Sequence, residues 1–178
     1  MTEVTILVNQ AYVYAEVRKA TAYLAVKNSE KSEYDRVAVV EDNADLLDRY
    51  YEEAIGILNA TMRQYIDSVT NSAKTYTFNM LMSSSYDTTQ NDALQTAVQS
   101  FVISYILSKW LVVVDKKEAT NAEHEAAEHL TDIRAKVYYR KRPVRTPPKK
   151  VYVYPVDPDT TEETPGSSEE TDRGISSN

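Results

Sequence analysis

The residues of this chain best suited to metal or acid–base chemistry are its only two histidines, His124 and His129, in the run His-Glu-Ala-Ala-Glu-His. Helical zinc sites need two histidines one turn apart, with a glutamate between them as base. A His-Glu-x-x-His pair would require histidine at 128, which is Glu128, and the inverted His-x-x-Glu-His form would require it at 125, which is Glu125. His124 with Glu128, and Glu125 with His129, are instead expected as i,i+4 pairs on a solvated helix face. A serine nucleophile needs a nearby general base, and no Gly-x-Ser-x-Gly turn exists to present one. Asp42, Asp45, Asp48, Glu52 and Glu53 gather like paired catalytic acids, but they read more simply as a helix N-terminus and its wet face. There is no cysteine, which excludes disulfides and thiolate metal ligands. Gly56, Gly166 and Gly174 stand alone, so no glycine-rich phosphate loop forms. Neither an enzyme nor a bound metal or cofactor is expected.

A second chemistry sits near the C-terminus. Arg140, Lys141, Arg142, Arg145, Lys149 and Lys150 form a basic, proline-rich stretch followed by Val151, Tyr152, Val153, Tyr154, Pro155 and Val156. The cations could neutralise phosphates, grip an acidic protein surface, or serve only as a solvated linker. The alternating Val-Tyr strand favours a protein partner, because such a segment gains its backbone hydrogen bonds by adding to an exposed sheet edge. These residues, with Val156 at the end of the strand, are the expected partner-binding set. The competing reading is a cellular helical interaction or regulatory module whose basic tail binds nucleic acid.

Charge is distributed in three blocks. Residues 1–139 carry a net −7, residues 140–154 a net +6, and residues 155–178 a net −6. The corresponding division is a helical body (1–139), a basic strap with a docking strand (140–156), and an acidic Asp/Thr/Glu/Pro/Ser-rich end (157–178) whose composition disfavours a packed core. The N-terminal Met-Thr-Glu-Val-Thr-Ile-Leu-Val has no basic region or long apolar stretch, so a secretory signal is not expected. The longest apolar run, from Trp110 to Val114, is far short of a membrane span. Fourteen tyrosines supply large amphipathic contact area suited to interfaces as well as cores.

The elements that must carry these groups are mainly helical. Asn9 is a plausible N-cap for a helix over about 10–27, with Val13, Val17, Ala20 and Leu24 on one stripe. Val37–Val40 reads as a short strand or packed loop. Asp42 or Asn43 opens a long second helix whose seam is Leu47, Tyr51, Ala54, Leu58, Thr61, Tyr65 and Val69, ending at Asn71-Ser72. Tyr76, Phe78, Met80 and Met82 alternate along a strand, and 83–90 is a polar loop. A third helix over about 92–114 is apolar nearly all round from Phe101, which marks a central core helix. Thr120 with Glu123 reads as a capping box for a fourth helix with Ala122, Ala126, Leu130, Ile133 and Val137 buried. Pro143, Pro147 and Pro148 forbid further helix. The expected fold is thus mainly α: a four-helix domain, a short strand or hairpin between helices two and three, and an extended C-terminal tail with one lone strand.

This order of elements resembles the head–tail connector (adaptor) proteins of tailed double-stranded DNA phages. The likeness covers residues 8–142. It rests on the first helix (Glu16-Val17-Arg18-Lys19-Ala20-Thr21-Ala22-Tyr23-Leu24), the acidic start of the second (Glu41-Asp42-Asn43-Ala44-Asp45-Leu46-Leu47), and the apolar helix beginning Ala93-Leu94-Gln95-Thr96-Ala97-Val98. Leu107-Ser108-Lys109-Trp110-Leu111 and Tyr138-Tyr139-Arg140-Lys141-Arg142-Pro143 resemble a version found in phages of gut Bacteroidetes. The chain departs from compact members by its extra fourth helix and long tail. The resemblance implies a structural virion protein at the head–tail junction, made in the host cytoplasm. Copies would pack side by side in a ring, twelvefold if it matches the portal, with genomic DNA passing non-specifically through the lumen. Partners would be the portal protein, neighbouring copies and downstream tail or connector proteins, with no membrane. On this view Tyr76, Phe78, Met80, Met82 and Tyr86 face a neighbouring subunit or the lumen, and the 140–156 strap docks on the portal or an adjacent subunit.

Overall fold

The computed structural model describes residues 1–27, 38–39 and 43–143. They form a mainly helical domain of four helices with a small antiparallel sheet. The order is β1 (Thr2–Asn9), α1 (Gln10–Lys27), α2 (Ala44–Met62), β2 (Ile66–Ser72), β3 (Thr75–Met82), a 3-10 turn (Thr88–Gln90), α3 (Asn91–Leu111) and α4 (Lys116–Val137). The compact unit runs from Met1 to Arg142. The docking strand expected at 151–156 and the acidic end lie outside the described residues.

The sheet has the order β1-β3-β2. β1 pairs antiparallel with β3 in a register that sets Val4 against Met80, Ile6 against Phe78 and Val8 against Tyr76. Alternation sends Val4, Ile6 and Val8 inward while Glu3, Thr5 and Leu7 face out. β1 was not anticipated, although the period-two pattern of Thr2–Asn9 encodes it.

Apolar α3 is the central element, packing on α1, α2, α4 and β1. Leu94, Val98, Phe101, Val102 and Ile106 meet the inward faces of β1 and β3 and the α2 seam Leu47, Tyr51, Ala54, Leu58 and Met62 in one core. Among the described residues no helix is long and apolar enough to cross a membrane.

Several expectations need correction. The second helix stops at Met62, not at Asn71-Ser72. Tyr65 and Val69 fall on helical spacing by coincidence, since the β-branched and polar run from Ile66 pairs with β3 as a hairpin. Its two-residue turn, Ala73-Lys74, has φ of 48° and 62°, the left-handed pair that matches hairpin twist. The α1 stripe is Val13, Val17, Thr21 and Ala25, with Ala20 and Leu24 only half-buried. Thr21 earns its buried place by hydrogen bonds: its hydroxyl donates to the Val17 carbonyl (3.0 Å) and accepts from the Val39 N–H (3.3 Å). Ala38 and Val39 are buried without forming a strand. The fourth helix begins at Lys116, and Asp115 is its cap, accepting from the N–H groups of Lys117 (3.0 Å) and Glu118 (3.2 Å). Thr120 lies one turn inside and donates to the Lys116 carbonyl instead, so it caps nothing.

Candidate interaction site

The two outer strands of the sheet are finished differently. At β1 the side-chain amide of Gln95, from the first turns of α3, accepts from the Leu7 N–H (2.8 Å) and donates to the Leu7 carbonyl (2.5 Å). A primary amide thus takes the place that a neighbouring strand's peptide group would occupy. At β2 every residue from Asp67 to Ser72 is exposed, and among the described residues its outer side pairs with nothing. Edge strands are normally blunted by charge, proline or bulges. β2 has a register shift between Ile66 and Ser68, then five consecutive residues, Ser68-Val69-Thr70-Asn71-Ser72, with neither charge nor proline. A cleft of about 230 Å³ lies across all three strands of the sheet, lined by Glu3 and Thr5 of β1, Asn79 and Leu81 of β3, and Asp67 and Ser68 of β2.

The C-terminal strap is rooted beside this edge. Arg140 forms an antiparallel bridge with Tyr86, and the Lys141 N–H donates to the Ser85 carbonyl (2.9 Å). Tyr138 packs edge-on against Tyr65 with ring centroids 5.7 Å apart, and its hydroxyl accepts from Gln64 Nε2 (2.5 Å). Arg140 Nη1 donates to the carbonyls of Val137 (3.1 Å) and Tyr139 (3.2 Å). The first residues of the expected strap therefore belong to the body. Arg142 is exposed at the end of the compact unit. Arg145, Lys149, Lys150 and Val151–Val156 lie outside the described residues.

The five residues expected at a subunit interface or lumen are not surface groups. Phe78, Met80, Met82 and Tyr86 are buried to 1% exposure or less, and Tyr76 is half-buried. The β3 face of Tyr76, Phe78, Met80 and Met82 meets α2 and α3 in the core, and Tyr86, beyond the strand, is buried in the same cluster. The Tyr86 hydroxyl is buried with no hydrogen-bond partner, and burial is the main reason that its pKa is raised.

The acids of α2 also differ from a plain wet face. Asp48 Oδ1 accepts from the Tyr14 hydroxyl and from Gln10 Nε2 (2.9 Å), Glu52 from the Tyr76 hydroxyl (2.7 Å), and Glu53 from the Tyr105 hydroxyl (3.3 Å). These bonds clamp α2 to α1, β3 and α3 in turn. Burial, then the bond to Asp48, pushes the Tyr14 hydroxyl far above the ordinary phenol range. The bond to Glu52, then burial, raises Tyr76. Burial raises Tyr51, whose hydroxyl donates to the Val8 carbonyl (2.8 Å). A neutral, strongly held phenol is a structural donor here; a general base would need the opposite shift.

His124 lies 3.4 Å from Glu128 with both side chains largely exposed, and among the described residues no cluster of three His, Asp or Glu side chains could hold a metal ion. A cleft of about 270 Å³ between α2, α3 and α4 is lined by Ile57, Phe101, Tyr105, Val112, Ala126 and Leu130, and also by Ser108, Lys109 and Glu123. The Ser108 hydroxyl there donates to the Tyr105 carbonyl (2.7 Å). The arrangement offers backbone pairing at β2 and four exposed tyrosines, Tyr12 and Tyr23 on α1 and Tyr138 and Tyr139 after α4, each at least 47% exposed. No protein-family model, curated protein or solved structure matches the chain.

Proposed function

We propose that the chain is a structural subunit of a ring that joins the portal vertex to the tail of a double-stranded DNA phage and passes the genome through its lumen. The reading rests on the resemblance across residues 8–142 together with one observation: a mainly helical body exposes a β2 edge that is unpaired among the described residues, near the Tyr86–Arg140 bridge where the basic tail begins. Such a body presents machinery for assembly. The acidic charge of residues 1–139 suits a conduit, since like charge keeps DNA from adhering. Tyrosine-rich surfaces suit lateral packing between copies.

The rival, a regulatory module with a nucleic-acid-binding tail, needs its cations free to reach phosphates. Arg140 Nη1 donates to the carbonyls of Val137 and Tyr139, which holds this first cation of the tail on the body under either reading. Native mass measurement of the full chain at micromolar concentration, alone and with a portal protein, tests the proposal. A closed oligomer or a portal complex is expected. A monomer under both conditions overturns it, and salt-dependent binding of DNA by that monomer would favour the rival.

A further inference from the structure

We infer that the outer face of α1 docks antiparallel on the same face of a second copy, about a two-fold axis. At about 3.6 residues per turn, Tyr12, Glu16, Lys19, Tyr23 and Val26 fall on one narrow stripe. It lies opposite Val13, Val17, Thr21 and Ala25, the residues that α1 buries. Tyr12, Tyr23 and Val26 are 47%, 72% and 68% exposed. The line of a surface helix farthest from the core is normally its charged one. Single exposed apolar side chains are ordinary there, but three aligned on the outermost line of one helix form a docking strip. The only charges on the strip are Glu16 and Lys19, which pair at 2.7 Å with side chains 33% and 71% exposed.

The order of these residues selects a second copy as the occupant. Tyr12 and Tyr23 are the outer pair, Glu16 and Lys19 the inner pair, and both pairs share one midpoint, between Val17 and Arg18. Turned end for end, the strip reads aromatic, cation, anion, aromatic where it had read aromatic, anion, cation, aromatic. Laid antiparallel on itself in that register, it sets Tyr12 against Tyr23 of the second copy and Glu16 against Lys19 of the second copy. Each contact then occurs twice, as an isologous interface demands. A parallel pairing in register would oppose glutamate to glutamate and lysine to lysine, and like charges across an interface repel. Antiparallel packing also opposes the two helix dipoles. Ala15 and Ala22 flank the strip and leave room for close approach. One helix pair is a small interface, below the roughly 1,200 Å² of standard complexes, so the contact is weak and reversible. It does not rest on the ring reading, because ring contacts repeat head to tail and this one is two-fold.

Charge reversal tests the register. Sedimentation of the full chain from micromolar to millimolar concentration should show a reversible doubling of mass. Glu16→Lys and Lys19→Glu each oppose like charges across the axis, so each should weaken the doubling at least tenfold with an unchanged thermal midpoint. Mixed in equal amounts, the two variants should recover it, because every charge on the strip then meets its opposite on the other chain. A wild type that shows no doubling overturns the inference. Variants that associate like the wild type, or a mixture that associates no better than its components, do so as well. The chain has no cysteine, so disulfide trapping gives a second readout independent of charge. Chains carrying Tyr12→Cys should link to chains carrying Tyr23→Cys and not to their own kind, since like positions lie about 16 Å apart along the paired helices. Links between like positions, or none, overturn the register and the inference with it. Native mass run in parallel keeps the two readings apart: a ring whose chains give no such link sinks the α1 contact and leaves the ring standing, whereas a linked pair with no larger species does the reverse.

Discussion

Replacing Gln95 tests whether a side-chain amide truly caps Leu7 on the β1 edge. Gln95→Met keeps length and helix propensity nearly constant while removing the acceptor 2.8 Å from Leu7 N and the donor 2.5 Å from Leu7 O. Each net hydrogen bond contributes about 1 kcal/mol. Leu7 is 47% exposed, so water can take over the freed groups and the full penalty for a buried orphan does not apply. A loss of about 1–2 kcal/mol follows, or roughly 2–8 °C in thermal midpoint for a chain of this size. Gln95→Glu separates the two bonds. Its carboxylate still accepts from the Leu7 N–H but opposes the Leu7 carbonyl, so the charged form is disfavoured and its folded-state pKa rises. Stability from a raised carboxyl pKa is fully present below the unfolded value of about 4.3 and lost as pH rises through the folded value. Relative to the wild type, Gln95→Glu should therefore be less stable at pH 7 and recover near pH 4, where the protonated acid can donate to Leu7 O. Calorimetric melts of the three proteins between pH 4 and 7 measure this. A Gln95→Met midpoint within about 1 °C of the wild type, or a Gln95→Glu deficit that does not shrink with acid, refutes the account of the edge.

Four further outcomes follow from the fold. Asp115→Ala removes the α4 cap and should cost about 1 kcal/mol in denaturant unfolding, whereas Thr120→Ala should stay within about 0.5 kcal/mol of the wild type. Lys74→Gly relieves a left-handed non-glycine residue at φ 62° and should raise the thermal midpoint by roughly 2–4 °C, about 1 kcal/mol. Tyr86→Phe deletes a buried hydroxyl that has no partner and should leave stability unchanged or raise it by about 1 kcal/mol in urea titration. For pH, Tyr14 and Tyr51 both have raised pKa values, so the folded state holds these protons more tightly than the unfolded chain. That stabilisation is fully present below the unfolded phenol value of about 10 and is lost as pH rises above it. Melts from pH 8 to 11 should show a steep alkaline decline that Tyr14→Phe makes shallower; an unchanged slope would exclude the Tyr14–Asp48 contact as its source.

Much of the helical framework can be read from side-chain order alone. Asn9 accepts from the Tyr12 N–H (2.9 Å) at the start of α1, where a short polar side chain precedes an apolar stripe. The seam Leu47, Tyr51, Ala54 and Leu58 and the all-round apolar surface of α3 mark their buried faces through periodicity, because a helix has few ways to hide that much apolar area. The inward alternation of Phe78, Met80 and Met82 was equally legible. Its destination was not: alternation says that one face is buried, but not whether the same chain or another one covers it, and here α2 and α3 do.

What local pattern could not decide was pairing. Tyr65 and Val69 continue a helical spacing, yet the chain turns at Met62 because Ile66–Ser72 satisfies its backbone on β3, a contact defined only once β3 is in place. Gln95 reads as an ordinary polar helix residue until β1, 88 positions away, is laid against it. The α2 acids acquire tyrosine donors from three other elements in the same way. The sequence by itself determined where the main helices lie, which faces must be buried, and that a basic, proline-rich tail follows. Only the tertiary structure decided which backbone groups are satisfied among the described residues, because hydrogen-bond completion between distant segments depends on their relative placement and leaves no periodic trace in the chain.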